Sequence, residues 1–249
     1  MKTVTVAAWT GWMPGVFTKD EWARFFLDPK GIGTGQDPLV PEIPPMMKRR
    51  MSRLNRMSAA VAFSCCRESS VSPRDVPLVF ASRHGEMGAL MGLLSQMAEG
   101  TPVSPTAFSH SVHHTSGSYF SIASGNKRPL RSLAGGEATF GCGFLDALGL
   151  LGERENTHVL LLMADEIVPP VFEGLVEEMR IPFAVGVMLS RALEGPGVPV
   201  SFDFIPAPPG EAESRFPHAV QALDFVRWLA GPERTFVSDR GEKRWMWSK

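Results

Sequence analysis

The densest set of residues able to do chemistry is the run Phe108-Ser-His-Ser-Val-His-His-Thr-Ser-Gly-Ser118, which brings His110, His113 and His114 into five positions. Imidazole nitrogens are common zinc ligands. No HExxH helix accompanies them and no Cys or His partner stands at metal-site spacing, so no metal or other cofactor is assigned and the run reads as a polar loop lining a pocket or an interface. A serine nucleophile would call for a Gly-x-Ser-x-Gly elbow, which the chain lacks. Cys142 falls inside a predicted helix rather than at its start, where the helix dipole would favour a thiolate, and is assigned as a buried structural thiol. Cys65 and Cys66, at the end of an amphipathic helix, are likewise expected in or near the core. Asp165-Glu166 follows an apolar strand, a place where α/β folds often carry active residues. Without a second positioned acid or base, the pair reads as solvent-facing loop.

The elements that must position these groups follow from periodicity. Residues 4–9 read as a buried strand stopped by Gly11 and Pro14, 18–27 as a short helix, and 31–45 as an irregular Gly/Pro-rich loop. Met47, Met51, Leu54, Met57 and Val61 share one helical face, with Lys48, Arg49, Arg50 and Arg53 on the remainder. Residues 76–82 form an expected strand, and Met87, Leu90, Met91, Leu94 and Met97 a helical stripe expected to fill core gaps. Then come a helix over 117–125, an extended stretch over 128–134 and a helix over 137–151. Gly141, Gly143 and Gly149 each weaken that last helix by about 1 kcal/mol relative to Ala, which makes sense where other backbones crowd close. Strands over 158–164, 183–190 and 198–204 surround an acidic helix over 171–179, and a further helix is expected over 219–230, ended by Gly231-Pro232. Alternating strands and helices give an α/β layered domain with a mixed, largely buried sheet. The terminal Trp245 and Trp247 either pack back or meet a partner.

Composition narrows the class. A chain of 249 residues with 44% hydrophobic and 20% charged residues buries a sizeable core as one large or two small domains. Its net charge of −1, with no basic run longer than Lys48-Arg49-Arg50, argues against nucleic acid and anionic membrane as partners. Three cysteines, two of them adjacent, show no disulfide framework, so a reducing cytoplasm is expected. The apolar run before Gly11 is too short for a signal peptide, and those near 159–164 and 183–189 fall far below the roughly 20 residues that span a bilayer.

Several segments together carry a family resemblance. Thr10-Gly11 with Pro14-Gly15, Arg50-Met51-Ser52-Arg53-Leu54, Ser111 to Gly117, Ser121 to Gly125, and Ser132-Leu-Ala-Gly-Gly-Glu-Ala-Thr-Phe-Gly-Cys-Gly-Phe-Leu-Asp-Ala147 resemble the N-terminal half of β-ketoacyl synthases. The likeness is greatest to the short chain-length-factor partners of aryl polyene biosynthesis, and it runs from residue 4 to about 193. It implies a thiolase-like layered fold over residues 1–205, equivalent to one half of a ketosynthase with a mixed sheet and flanking helices, and a C-terminal extension over 206–249 with one helix.

The resemblance also sets functional expectations. In the family a nucleophilic Cys stands on the turn before a buried helix; aligning the Ala147 end of that helix puts Glu137 there, a carboxylate that cannot form the acyl thioester. Glu137 reads equally as a first-turn acid favoured by the helix dipole. Family enzymes take two catalytic histidines from a C-terminal half, and His218, the one His beyond 158, does not resemble either motif. The expected protein is a catalytically inactive chain length factor that pairs with a full-length ketosynthase and meets acyl carrier protein through that complex. His110, Val112, His113, His114 and Ser132 are its expected partner-tunnel and interface residues. The alternatives are a passive scaffold of the synthase and an independent thioesterase or decarboxylase using Glu137.

Overall fold

The computed structural model describes residues 2–28, 37–172, 175, 181–193, 195–207 and 220–249. Its strands are β1 (Lys2–Trp12), β2 (Leu78–Ala81), β3 (Leu130–Leu133), β4 (His158–Asp165), β5 (Phe183–Ser190), β6 (Val198–Pro206), β7 (Thr235–Arg240) and β8 (Lys243–Ser248). They form one eight-stranded sheet in the order β3-β2-β4-β5-β1-β6-β8-β7. β2 runs parallel to both β3 and β4, and the remaining pairings are antiparallel, which gives the mixed sheet that the alternation predicts.

Central strands are apolar on both sides because both faces are covered. Leu160, Leu162 and Ala164 of β4 join the core under α3 (Arg53–Glu68) and α6 (Thr115–Ser124). Val159, Leu161 and Met163 join the opposite core with α7 (Thr139–Gly152) and α8 (Gln221–Ala230). At the start of the chain, Thr18 and Glu21 make a reciprocal capping box for α1 (Lys19–Leu27). The expected single helix from Met47 to Val61 is interrupted. α2 (Pro45–Lys48) ends first, and α3 begins after Ser52, whose Oγ accepts the Asn55 N–H at 3.1 Å.

The segment beyond Pro206 contains the expected helix, α8, and adds two strands that extend the main sheet. Trp245 and Trp247 pack back and are buried. A Cβ on Gly141 would lie 2.6 Å from the Trp245 ring, and one on Gly143 2.9 Å from Leu161, so side chains rather than the expected backbones crowd these two helix glycines; Gly149 faces open space. Phe225 centres the aromatic cluster, 4.9 Å from Phe140 and 5.7 Å from Phe144 and Trp247, ring centre to ring centre.

The Met/Leu stripe is a correction. α4 (Met87–Ala98) buries Leu93, whereas Leu90, Leu94 and Met97 are 46%, 47% and 63% exposed. Other helices already cover both faces of the sheet, so α4 packs on α5 (Pro105–His110) as an outlying arm. Gly88 and Gly92 of α4 face open space. The helix expected over 171–179 lies largely outside the described residues, as does His218. No helix among the described residues is long and apolar enough to cross a membrane.

Candidate functional site

The parallel strands β2, β3 and β4 end at one edge of the sheet, so the turns that follow them are neighbours; the Ser82 N–H donates to the Leu133 carbonyl at 3.1 Å. At this edge Asp165 is not the solvent-facing loop residue expected. It is buried and accepts from Ser82 Oγ (2.7 Å) and from the backbone N–H groups of His84 (2.9 Å) and Arg83 (3.1 Å). Ser82 Oγ in turn accepts from the Gly85 N–H at 2.8 Å. Burial pushes the Asp165 carboxyl above its ordinary range, and these hydrogen bonds oppose that rise. Glu166 is partly buried in a bidentate pair with Arg53, at 2.7 and 2.8 Å.

A second buried carboxylate, Glu86, stands one residue before α4. It accepts from Ser52 Oγ at 2.6 Å and hydrogen-bonds Asn55. Asn55 also accepts from Ser116 Oγ at 2.8 Å. The starts of α3, α4 and α6 therefore converge on one polar cluster, where the positive ends of helix dipoles suit an anion. Burial raises the Glu86 pKa, and the Glu166 charge adds to the rise. The sequence reading missed this cluster. Its one local sign is the Ser52–Asn55 cap; the other links join residues far apart in the chain.

The three clustered histidines point to different places. His113 turns inward, its Nε2 2.8 Å from the Ser82 carbonyl and its ring 5.6 Å from Phe80. A carbonyl only accepts, so Nε2 carries the proton. The His113 ring lies against Gly85, whose φ of +58° suits glycine and whose added Cβ would come within 3.0 Å of Cδ2. His114 is exposed with Nδ1 2.8 Å from Ser132 Oγ on β3, so the structure brings these two expected interface residues together. Half-buried His110 lies 6.3 Å from the Tyr119 ring, and Val112 is 44% exposed. Among the described residues no three His, Cys, Asp or Glu side chains are grouped to hold a metal.

Glu137 lies, exposed, on the short 3-10 turn Gly136–Ala138 between β3 and α7. Thr139 Oγ1 staples that turn, donating to the Gly136 carbonyl at 2.6 Å and accepting the Gly135 N–H at 3.0 Å. Cys142 sits inside α7 but is half-buried rather than buried as expected, and burial still raises its pKa. Cys65 and Cys66 are buried in the core, with the Cys66 thiol pushed up to about 12; none of the three has the lowered pKa of a nucleophile.

A strand, a tight turn and a buried helix at the edge of a mixed sheet is the arrangement that the sequence resemblance implies. A family profile described as the N-terminal domain of β-ketoacyl synthase matches residues 22–248. The chain belongs to this family. Among solved structures, one chain of "Ketosynthase (ApeO) in Complex with its Chain Length Factor (ApeC) from Xenorhabdus doucetiae" matches at 26% identity and TM-score 0.83, covering 100% of both chains. "The ishigamide ketosynthase/chain length factor" matches at 16% and 0.67, covering 82% of this chain and 68% of that one. A third match, "AntDE:AntF (apo): type II PKS acyl-carrier protein in complex with its ketosynthase bound to the hexaketide", has 12% identity and TM-score 0.62, covering 83% and 70%. A comparison with curated proteins finds no match. The fold is therefore the thiolase-like ketosynthase fold.

Proposed function

We propose that this β-ketoacyl synthase-like protein is a non-catalytic chain length factor that pairs with a full-length ketosynthase and bounds the far end of its acyl tunnel. The reading includes carrier-bound polyene chains as the substrate class, acyl carrier protein met through the complex, and a reducing cytoplasmic setting. The observation that carries it is the end-to-end match, in both directions, to one chain of a ketosynthase–chain length factor complex. An exposed carboxylate on the turn before α7 supports the loss of thioester chemistry, because Glu137 cannot form the acyl thioester that condensation needs.

Two surfaces suit the partner. β3 ends the strand order and has β2 as its neighbour, so its outer backbone groups are open to pairing across a two-fold. The helices α6 and α7 that pack on β3 carry the exposed apolar side chains Ile122 (67%) and Leu145 (41%). Beside them, the segment 106–117 is not the loop expected but the end of α5, a turn over 111–114 and the start of α6, and it presents Val112, His110 and His114 as bulk toward the tunnel, while His113 acts through the position it gives the turn.

The test is a reconstituted synthase in which each of His110, Val112, His113 and His114 is replaced by Ala, with product lengths read by mass spectrometry. Longer products are expected, most clearly from Val112→Ala and His110→Ala. Unchanged lengths in all four variants would overturn the tunnel role, and a drop in yield at constant length would point to a passive scaffold.

A further inference from the structure

The α4–α5 arm joins the body of the protein through two stems that meet at the carboxyl edge of β2. The first is the turn 82–86. Ser82 and the N–H groups of Arg83 and His84 are tied to Asp165, and Glu86, the last residue before α4, reaches away from its own helix to Ser52 Oγ at 2.6 Å. The second stem is 113–116, where His113 bonds the Ser82 carbonyl and Ser116 bonds Asn55, which itself contacts Glu86. Near the end of the arm, the Ser109 carbonyl accepts from Thr115 Oγ1 at 3.2 Å and the His110 ring lies 6.3 Å from that of Tyr119. Leu93 is the buried side chain of α4, the glycines of α4 face open space, and the arm carries the exposed Leu90, Leu94, Met97 and Phe108.

A carboxylate taken out of water is retained at a cost unless its bonds fix something. Here they fix the direction in which α4 leaves the core. Ser52 both caps α3 and donates to Glu86, so the angle of α4 is referred to α3, a helix packed against the sheet.

We propose that Glu86 is a positioning residue that sets the α4–α5 arm relative to the sheet, and through it the place of the turn at 111–114. Its role in chain length rests on the proposed pairing with a ketosynthase, whereas its hold on the arm does not.

The experiment is hydrogen–deuterium exchange on the isolated full-length chain, comparing wild type with Glu86→Ala, Glu86→Gln and Ser52→Ala. Glu86→Ala is expected to speed exchange over 87–114 by about tenfold or more while β4 and β5 stay protected, since local opening is separable from global unfolding. Glu86→Gln keeps an acceptor for Ser52 and should restore protection to within about threefold of wild type, a rescue that loss of folding would not give. Ser52→Ala should fall between them. If Glu86→Ala destabilises the whole molecule, the Gln and Ser52→Ala variants still decide. Arm exchange unchanged in Ser52→Ala, or raised equally in the arm and in β4, would overturn the proposal. Measured on the reconstituted synthase, the same variants should broaden product length in the order of their arm exchange. Failure of the subunits to pair would defeat the proposed function and leave the exchange result standing.

Discussion

The two flanks of α7 and α4 have similar raw material and opposite fates. Each helix is rich in apolar residues and glycine, with Asp146 the one charged side chain of α7 and none on α4. α7 is buried by β2, β4 and the C-terminal α8–β8 segment, whose rings pack against it at centroid distances of 4.9 to 6.2 Å. α4 packs chiefly on α5 and leaves Leu90, Leu94 and Met97 exposed. The apolar content of a helix therefore does not say where it is buried; what covers it does, and on α7 the cover comes from residues nearly a hundred positions later. A large apolar surface left open on a folded protein marks an interaction site more often than an accident.

The sharpest break of this contrast is Phe225→Ala. Removing a fully buried ring from the centre of the cluster should cost about 3–5 kcal/mol, read as a lower midpoint in denaturant unfolding. A cost below about 1 kcal/mol would mean that the C-terminal segment does not seal α7.

Next is Asp224 on α8, whose pKa burial pushes up to about 6 against the opposing charges of Arg240 and Arg227. A folded pKa above the unfolded 3.8 means that the folded state holds its proton more tightly. Stability from this group is therefore full in acid and lost as pH rises from about 4 to 6, by roughly 3 kcal/mol. Asp224→Asn should then be more stable than wild type near neutral pH by up to about that amount and indistinguishable near pH 3. The reverse pH dependence would show that the Arg240 pair outweighs desolvation.

The smallest stability effect belongs to the arm. Leu94→Ser with Met97→Ser should change unfolding free energy by less than about 0.5 kcal/mol per site, since about half or more of each side chain is already exposed. A cost above about 1 kcal/mol per site would show that α4 is covered after all.

Much of the layered fold was legible in the sequence because its central strands are apolar runs of fixed length and its helices carry 3.6-residue stripes. β4, β5 and α8 are examples. β7 and β8 were missed: their residues alternate weakly with charged ones, and their pairing depends on β6 being an open edge. Of the site, the strand, turn and helix around Glu137 lie where the sequence places them, whereas nothing in the sequence points to the contact of His114 with Ser132. The burial of Asp165 and Glu86 and the inward turn of His113 did not show, because each depends on a partner tens of residues away, and residue type alone does not report whether a carboxylate at a strand end faces water or the core.

The most direct measurement is native mass determination of this chain co-expressed with a full-length ketosynthase encoded beside it, alongside each subunit alone. A one-to-one heterodimer that weakens when Ile122 and Leu145 become Ser is the predicted result. Two species that never associate would contradict the account and return Glu137 to consideration as a catalytic group in its own right.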